Sequence, residues 1–267
     1  MKSGLVSISF RKKEIKEIIK EAKKANLDYI EWGGDVHIPM GNVKLARRVN
    51  SLMHGSGLKS KSYGSYYGVV YHCGEGRPMP FKYVLKTAKQ LGADNIRIWA
   101  GWPCCGCTKG KGVYVCQSQK CKAISVAREL CNEAKKHNMT LSIECHFSTI
   151  TDDYHDTLDF IKSVGCDNLR LYWQPNHQKS FEYNIEALKA LLPYITNVHV
   201  FNWEQNGTKH PLSEGKEQWR KYIEILDDEN AENRIFFLEF MPDGEISSLA
   251  QEAKTLNELL AERRTTK

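Results

Sequence analysis

Long hydrophobic runs are missing from this 267-residue sequence. No stretch of about 18 apolar residues occurs, which is the minimum for a membrane-spanning helix, so we expect no membrane partner. The first residues also lack an apolar core followed by a small-residue cleavage site, and we expect no signal peptide. Linkers and low-complexity segments are absent as well, which predicts one domain over residues 1–267.

Charge of one sign is not concentrated anywhere in the chain. The 38 Lys and Arg residues outnumber the 32 Asp and Glu residues, but the lysines are spread through helical segments. Such a spread is typical of solvated helix faces, whereas a nucleic-acid-binding protein gathers its basic residues into a patch. We therefore expect no nucleic-acid partner and a small-molecule ligand instead.

Evenly paired cysteines, which mark secreted disulfide-rich proteins, are also missing. The chain has nine cysteines, an odd number in a large chain. This pattern predicts a reduced, cytoplasmic protein. A loop over residues 104–121 holds five of them at spacings unlike a C-x2-C pair, which leaves open both free thiols and a structural zinc site. They are Cys104, Cys105, Cys107, Cys116 and Cys121.

What the sequence does contain is a regular alternation of β-rich runs and amphipathic helices. The predicted strands cover residues 4–10, 28–32, 58–63, 95–100, 140–145, 168–173, 197–201 and 234–240. The predicted helices cover residues 12–25, 42–53, 80–91, 121–137, 153–164, 185–192, 215–226 and 247–260. Eight alternating units in one chain of this length indicate an α/β fold, a single-domain (β/α)8 TIM barrel. An open doubly wound sheet is the alternative, but the first strand lacks the G-x-G-x-x-G turn.

Polar residues interrupt the apolar runs of the later strands. Glu144, His199 and Glu239 lie within the hydrophobic segments LSIECH, NVHVFNW and IFFLEFM. Buried carboxylates and imidazoles are costly without partners, and the C-terminal strand ends of a barrel converge on one site. Together with Gln174 they form an oxygen-rich set with one imidazole. Such a set is typical of a site for Mn²⁺, Mg²⁺ or Co²⁺, and it is unlike the thiolate ligands of a zinc site.

Further residues near the strand ends are candidates for contacts with a substrate. They are Glu31, His37, Arg97, Trp99, His146, His177 and Trp203. The tryptophans offer apolar faces for the C–H side of a sugar ring, although barrel packing explains them equally well. Arg97 either binds an anionic group of the substrate or pairs with Glu31 or Glu144 inside the barrel mouth.

Over essentially its whole length, the chain resembles the xylose isomerase-like TIM barrels. This superfamily of sugar phosphate isomerases and epimerases also contains the endonuclease IV fold. The segments that carry the resemblance are YIEWGGDVHIP, GADNIRIWAG, LSIECHFSTITDD, RLYWQPNH, NVHVFNW, PLSEGKEQWRKY and FLEFM. The resemblance implies a divalent cation, with Mn²⁺ expected first and Mg²⁺, Co²⁺ or Zn²⁺ as alternatives.

The resemblance also implies the roles of individual residues. The metal ligands would be Glu144, Gln174, His199 and Glu239, and His177 would contact the substrate. The family has an Asp on the sixth strand where this chain has Gln174. An amide oxygen can still coordinate a hard cation, but the lost negative charge predicts weaker metal binding.

The function implied is that of an isomerase or epimerase acting on a sugar, cyclitol or keto-sugar. Glu144 and Glu239 would form the acid/base pair that moves the proton α to a carbonyl through an enediolate. A lyase or dehydratase with the same proton chemistry, and a sugar-binding barrel without metal or catalysis, are the alternatives. An endonuclease IV-like nuclease is disfavoured because FNWEQNGTKH stands where an extra D-x-H ligand pair would be needed. Homo-oligomers are common in the superfamily.

Overall fold

Eight parallel strands close into a barrel in the computed structural model, which describes residues 1–70, 79–101, 108–109, 112–113 and 117–262. The strands are β1 Lys2–Val6, β2 Tyr29–Gly33, β3 Ser62–Gly68, β4 Asn95–Trp99, β5 Thr140–Glu144, β6 Leu169–Trp173, β7 Ile195–Val200 and β8 Ile235–Leu238. Each strand pairs with its neighbours in chain order, and β8 pairs with β1. The expected single-domain (β/α)8 barrel is thus confirmed.

Helices alternate with these strands and surround the barrel. They are α1 Ile15–Lys24, α2 Val43–Ser56, α3 Lys82–Leu91, α4 Gln117–Lys135, α5 Tyr154–Val164, α6 Phe181–Leu191, α7 Lys216–Leu226 and α8 Leu249–Glu262. Asp153 and Ser180 cap α5 and α6, because their side chains accept hydrogen bonds from first-turn N–H groups. Within the described ranges, no helix is long and apolar enough to cross a membrane.

Two predicted strand boundaries were wrong by four residues. The first strand ends at Val6, and Ser7–Phe10 forms a 3₁₀ turn instead of continuing the sheet. The hydroxyl of Ser7 accepts a hydrogen bond from the Gly33 N–H at 2.9 Å, which turns the chain towards the end of β2. The third strand begins at Ser62 rather than at residue 58, after one isolated bridge at Lys59.

The core has two layers because successive strand residues point to opposite faces of the sheet. Along β5, Leu141 and Ile143 pack against the helices in the large outer core. Ser142 and Glu144 point inwards, where they meet polar partners. The inner apolar cluster is small and comprises Val6, Ile8, Tyr172, Ile235 and Phe237. The upper interior of the barrel is therefore polar, and buried charges have to be satisfied there.

Cys121 lies on α4, and Cys131, Cys145 and Cys166 are free thiols. The other loop cysteines, Cys104, Cys105, Cys107 and Cys116, lie outside the described residues. The choice between free thiols and a zinc site in that loop, like the cytoplasmic location, stays a prediction.

Candidate metal centre and active site

Strands β5 to β8 bring Glu144, His199 and Glu239 to one place. Glu144 ends β5, His199 lies on β7 opposite Phe237, and Glu239 directly follows β8. All three side chains are buried, with at most 6% of the residue surface exposed. One ligand atom from each lies within 4.8 Å of the others. Parallel strand ends meet at the same rim of a barrel, which is why residues about 40 to 95 positions apart converge.

The Nδ1 atom of His199 lies at the centre of this cluster. It is 2.9 Å from Oε1 of Gln174, 3.4 Å from Oε1 of Glu144 and 3.5 Å from Oε2 of Glu239. The other ring nitrogen, Nε2, is buried and has no hydrogen-bond partner within the described residues. The structure therefore brings together the four side chains that the resemblance assigned to a metal.

Arg97 lies behind Glu144, between two buried carboxylates. Its Nε donates to Oε1 of Glu31 at 2.7 Å, and its Nη1 donates to Oε2 of Glu144. The hydroxyl of Ser62 donates to the second oxygen of Glu31 at 2.7 Å. A Cβ atom on Gly64 would lie 2.7 Å from Nη2 of Arg97, so glycine at this position leaves room for the ion pair. Only Oε1 of Glu144 remains to face His199.

This arrangement separates the proton affinities of the buried groups. Burial opposes the charge on Glu144, but Arg97 and His199 outweigh it and hold the pKa of this carboxyl well below its usual range. Burial raises the pKa of Glu239, and the charge of Glu144 adds to the rise while His199 opposes it. Burial lowers the pKa of His199, but the two carboxylates outweigh it and the pKa is raised. Glu144 is thus held as an anion, whereas Glu239 keeps a proton more readily than in water.

The donor set fits a divalent cation. Ligand atoms about 2.1 Å from one ion lie about 3–4 Å apart, and the oxygens around His199 Nδ1 are 2.9–3.5 Å away from it. With a neutral imidazole, the carboxylates of Glu31, Glu144 and Glu239 outnumber the single guanidinium of Arg97 by two charges. One divalent cation would balance this buried excess, which is costly when uncompensated.

A cavity of about 840 Å³, open to solvent, lies above the cluster. Of the residues expected there, the cavity is lined by Arg97, Trp99, Glu144, His146, Gln174, His177, Trp203 and Glu239. Glu31 is fully buried beneath it, and His37 is bonded through Nδ1 to Ser7 at 3.0 Å. Neither of these two residues lines the cavity.

Seven aromatic side chains form the upper cavity wall, and we call them the aromatic collar. They are Tyr66, Trp99, His146, Phe147, His177, Trp203 and Phe240. Sequence reasoning missed Tyr66, Phe147 and Phe240. Phe147 was adjacent to a residue already singled out, which was a usable signal. Tyr66 and Phe240 adopt left-handed backbone conformations, with φ of 57° and 55°, and no sequence pattern marks such positions for aromatic residues.

Comparison with known proteins agrees with this geometry. A family model described as xylose isomerase-like TIM barrel matches residues 19–261. Among curated proteins, the 3-dehydroshikimate dehydratase of Bacillus anthracis is 23% identical over 214 residues, covering 76% of this chain and 72% of that protein.

Solved structures with the same fold cover almost the entire chain. The probable 3-DHS dehydratase AsbF of Bacillus anthracis has a TM-score of 0.75 at 19% identity and covers 96% of this chain and 99% of its own. D-psicose 3-epimerase with D-tagatose from Clostridium cellulolyticum H10 has a TM-score of 0.68 at 16% identity, with 98% and 99% covered. The IOLI protein with a bound zinc atom has a TM-score of 0.70 at 17% identity, with 98% and 99% covered. At these identities the likeness shows a shared fold.

Proposed function

The chain belongs to the xylose isomerase-like TIM barrel family, and from this premise we propose that it is a divalent-metal-dependent isomerase or epimerase. The substrate would be a hydroxy-ketone of the sugar, keto-sugar or cyclitol class. The observation that carries the proposal is the convergence of Glu144, His199 and Glu239, with Glu144 and Glu239 also lining the cavity. The D-psicose 3-epimerase, which is named for a sugar, supports the proposed substrate class. The IOLI protein, which has a bound zinc atom, supports the proposed metal dependence.

Glu144, Gln174, His199 and Glu239 would hold the cation, for which we propose Mn²⁺ first. When bound, the cation would polarise the substrate carbonyl and stabilise the negative charge of an enediolate. Gln174 contributes a neutral oxygen, so the site keeps two anionic ligands. Oxygen ligands with a single imidazole are typical of Mn²⁺ or Mg²⁺ sites, whereas thiolate ligands are typical of zinc sites.

Proton transfer is assigned to Glu239 and Glu144, with unequal parts. Arg97 occupies one oxygen of Glu144, which leaves Oε1 as its reactive atom. Glu239 has no cationic side chain of this kind within the described residues and keeps an oxygen 3.5 Å from His199. Glu239 would therefore take the proton α to the carbonyl. Because its pKa is raised, Glu239 would also hold this proton and return it on the same face. Glu144, held as an anion, would protonate the other face only after taking up a proton itself.

A dehydratase is the second candidate, and the named curated relative favours it. Removal of the same α-proton followed by loss of hydroxide from the next carbon gives an unsaturated ketone and water. This reaction requires one more group to protonate the leaving hydroxide. His146 lines the cavity, and its Nδ1 lies 2.7 Å from the Phe147 carbonyl oxygen, so Nδ1 is the donor. In the imidazolium form, the second proton, on Nε2, would go to the leaving hydroxide.

Exchange of the substrate α-proton for deuterium tests the proposal directly. Wild-type protein loaded with Mn²⁺ and incubated in D₂O with ketoses and inososes should incorporate deuterium, as followed by NMR. The Glu239→Gln variant should slow exchange by about 10²–10⁴-fold because it cannot accept the proton. The control is Glu224→Gln, which changes a carboxylate that is 73% exposed and far from the cavity.

Three outcomes separate the candidates. Exchange with a change of configuration and no loss of water supports the isomerase or epimerase. A product with a new conjugated absorbance and one water fewer supports the dehydratase. Wild-type exchange at the rate of E239Q, or no calorimetric binding of Mn²⁺ while sugars still bind in chelator, defeats both and leaves a sugar-binding barrel.

A further inference from the structure

A second cavity lies at the other end of the barrel, where the strands begin. It is open to solvent and has a volume of about 900 Å³. We call it the N-terminal cavity, and half of its twelve lining residues are asparagines or threonines: Asn95, Asn138, Thr140, Thr196, Asn197 and Asn233. A side-chain amide both donates and accepts hydrogen bonds, and so does a hydroxyl. The lining therefore complements a molecule that carries several hydroxyl groups.

This cavity is separate from the one above the metal ligands, and the two share no lining residue. Ile235 lines the N-terminal cavity, and Phe237, two residues further along β8, lies opposite His199. Both Ile235 and Phe237 belong to the inner apolar cluster, which therefore closes the barrel between the two cavities. A ligand in the N-terminal cavity would not compete with a substrate at the metal centre.

The charges in the lining of the N-terminal cavity cancel. They come from Lys2, Lys61, Asp94 and Glu232, and all four residues are exposed. Lys61 and Asp94 also pair with each other at 2.7 Å. A lining without net charge does not attract an anion or a cation, so a neutral ligand fits it best.

Several buried polar side chains at this end of the barrel satisfy one another. The Asn95 amide donates to the Ser62 hydroxyl at 3.0 Å and accepts from the Ser142 hydroxyl at 2.7 Å. The Ser142 hydroxyl also lies 3.1 Å from that of Thr196, and Ser62 donates to Glu31 at 2.7 Å. These contacts hold Asn95 and Thr196 in one arrangement, so this part of the wall is formed before a ligand arrives.

Two other lining residues face the cavity without such partners. Asn197 is 4% exposed, and neither its amide nor the Thr140 hydroxyl has a hydrogen-bond partner in the described part of the chain. In the strand register, Asn197 lies opposite Tyr172 and Ile235 of the inner cluster, and Thr140 lies opposite Asn95. Both side chains therefore point into the barrel. A nearly buried amide without a partner is costly, and a ligand hydroxyl at this point would remove the cost.

We propose that the N-terminal cavity binds a small neutral polyol, a monosaccharide or a cyclitol, with Asn197 and Thr140 as its main hydrogen-bonding partners. The half-buried ring of Tyr29 lines the same cavity and offers an apolar face to the C–H groups of the ligand. This site is independent of the proposed reaction, because it uses none of the residues assigned to the metal or to proton transfer. Since the cavity exists only in the folded barrel, the ligand stabilises the fold.

Calorimetry and thermal unfolding test the proposal, with D-glucose and myo-inositol as probes. Wild-type protein should bind at least one of them with the same affinity in Mn²⁺ and in chelator, and its melting temperature should rise with probe concentration. Thr140→Val keeps the shape of the side chain and should weaken binding about two- to tenfold, the share of one hydrogen bond. Asn197→Leu, which removes a donor and an acceptor, should weaken it at least about tenfold.

The matched control is Thr208→Val, which makes the same change at an exposed position outside the cavity and should leave the affinity unchanged, as should Glu239→Gln. Thr140→Val decides the outcome if Asn197→Leu does not fold. Failure of both probes to bind, or binding that Thr140→Val leaves unchanged, would overturn the inference. Binding that Glu239→Gln weakens would belong to the metal end of the barrel and would overturn it as well. So would binding of citrate or inorganic phosphate in place of the two probes, because the cavity would then select an anion.

Discussion

Two buried arginines lie at opposite ends of the barrel, and their surroundings differ. Arg234 precedes β8 at the N-terminal end and donates to the carbonyls of Ile195, Leu226 and Leu192 and to both oxygens of Asp228. Arg97 lies on β4, and within the described residues its side chain donates only to carboxylates. Its Nη2 has no partner within the described residues, although the side chain is 2% exposed.

The contrast separates a stabilising role from a functional one. Arg234 is saturated by backbone carbonyls, which fixes the chain at the closed end of the barrel. Arg97 lines the cavity and shares its end of the barrel with other unpaired buried atoms, Nε2 of His199 and Nε1 of Trp203. In (β/α)8 barrels, residues at the C-terminal end serve the site and residues at the N-terminal end serve stability.

The largest expected effect comes from removing each guanidinium in turn. Arg234→Met and Arg97→Met should each lower the free energy of unfolding by about 3–5 kcal/mol, because buried partners lose their counter-charge. Added Mn²⁺ should recover more stability in R97M than in R234M or wild type, since a cation can compensate Glu31 and Glu144 but not Asp228. Urea unfolding with and without Mn²⁺ measures this. Equal recovery in both variants would erase the distinction between the two ends.

A smaller effect is expected from filling the space beside Arg97. A Cβ in Gly64→Ala would lie 2.7 Å from Nη2 of Arg97 and 2.8 Å from Oε1 of Glu31. Both side chains are fixed, because Nε of Arg97 is paired with Oε1 of Glu31. Overpacking of this kind costs about 1–3 kcal/mol. Gly55→Ala is the matched control, because a Cβ in that helix meets nothing within 4 Å. It should be neutral or stabilising by up to about 1 kcal/mol. Unfolding curves that rank the two variants alike would contradict the packing at Gly64.

The smallest effect concerns how the stability contributed by the Asp228–Arg234 ion pair depends on pH. The hydrogen bond to Arg234 holds the pKa of Asp228 below its usual value. A lowered folded-state pKa adds stability that is complete above the unfolded value of about 3.9 and is lost as pH falls through the folded value. Asp228→Asn should therefore cost about 1–2 kcal/mol at pH 7 and almost nothing near pH 2.

Urea unfolding across this pH range measures the difference from wild type. Asp94→Asn serves as the control, since Asp94 pairs with Lys61 at 2.7 Å on the surface with 55% of its side chain exposed. Exposed pairs contribute about 0–1 kcal/mol. A cost for D228N that stays constant from pH 7 to pH 2 would show that its ionisation does not contribute.

Much of the fold was predictable because it depends on local periodicity. Among the described residues, the eight barrel strands and the eight α-helices were expected in their observed order, whereas the two short antiparallel strands Thr108–Lys109 and Gly112–Val113 were not. The first strand was extended too far, since Ser7–Phe10 carries apolar residues like a strand. What ends that strand is a contact with Gly33, 26 residues away, which no local pattern contains.

The candidate site was predictable in part. Polar residues inside apolar strand sequences marked Glu144, His199 and Glu239, and parallel strand ends have to gather at one rim. Glu31 was expected beside the substrate, but it is bonded beneath the cavity to Arg97 and Ser62. The alternation along β2 points the Glu31 side chain into the barrel in either case. Only the register of β2, β3 and β4 distinguishes them.

By itself, the sequence determined the barrel and the set of residues that face its C-terminal end, because side-chain alternation and strand order suffice for both. The tertiary structure alone decided which carboxylate Arg97 binds, and hence which oxygen of Glu144 is left for a cation. It also decided that the rings of Tyr66 and Phe240 join the collar. Those outcomes depend on distances of a few ångströms between residues on different strands. Strand stagger and backbone strain set such distances, and neither is written in any local pattern of residues.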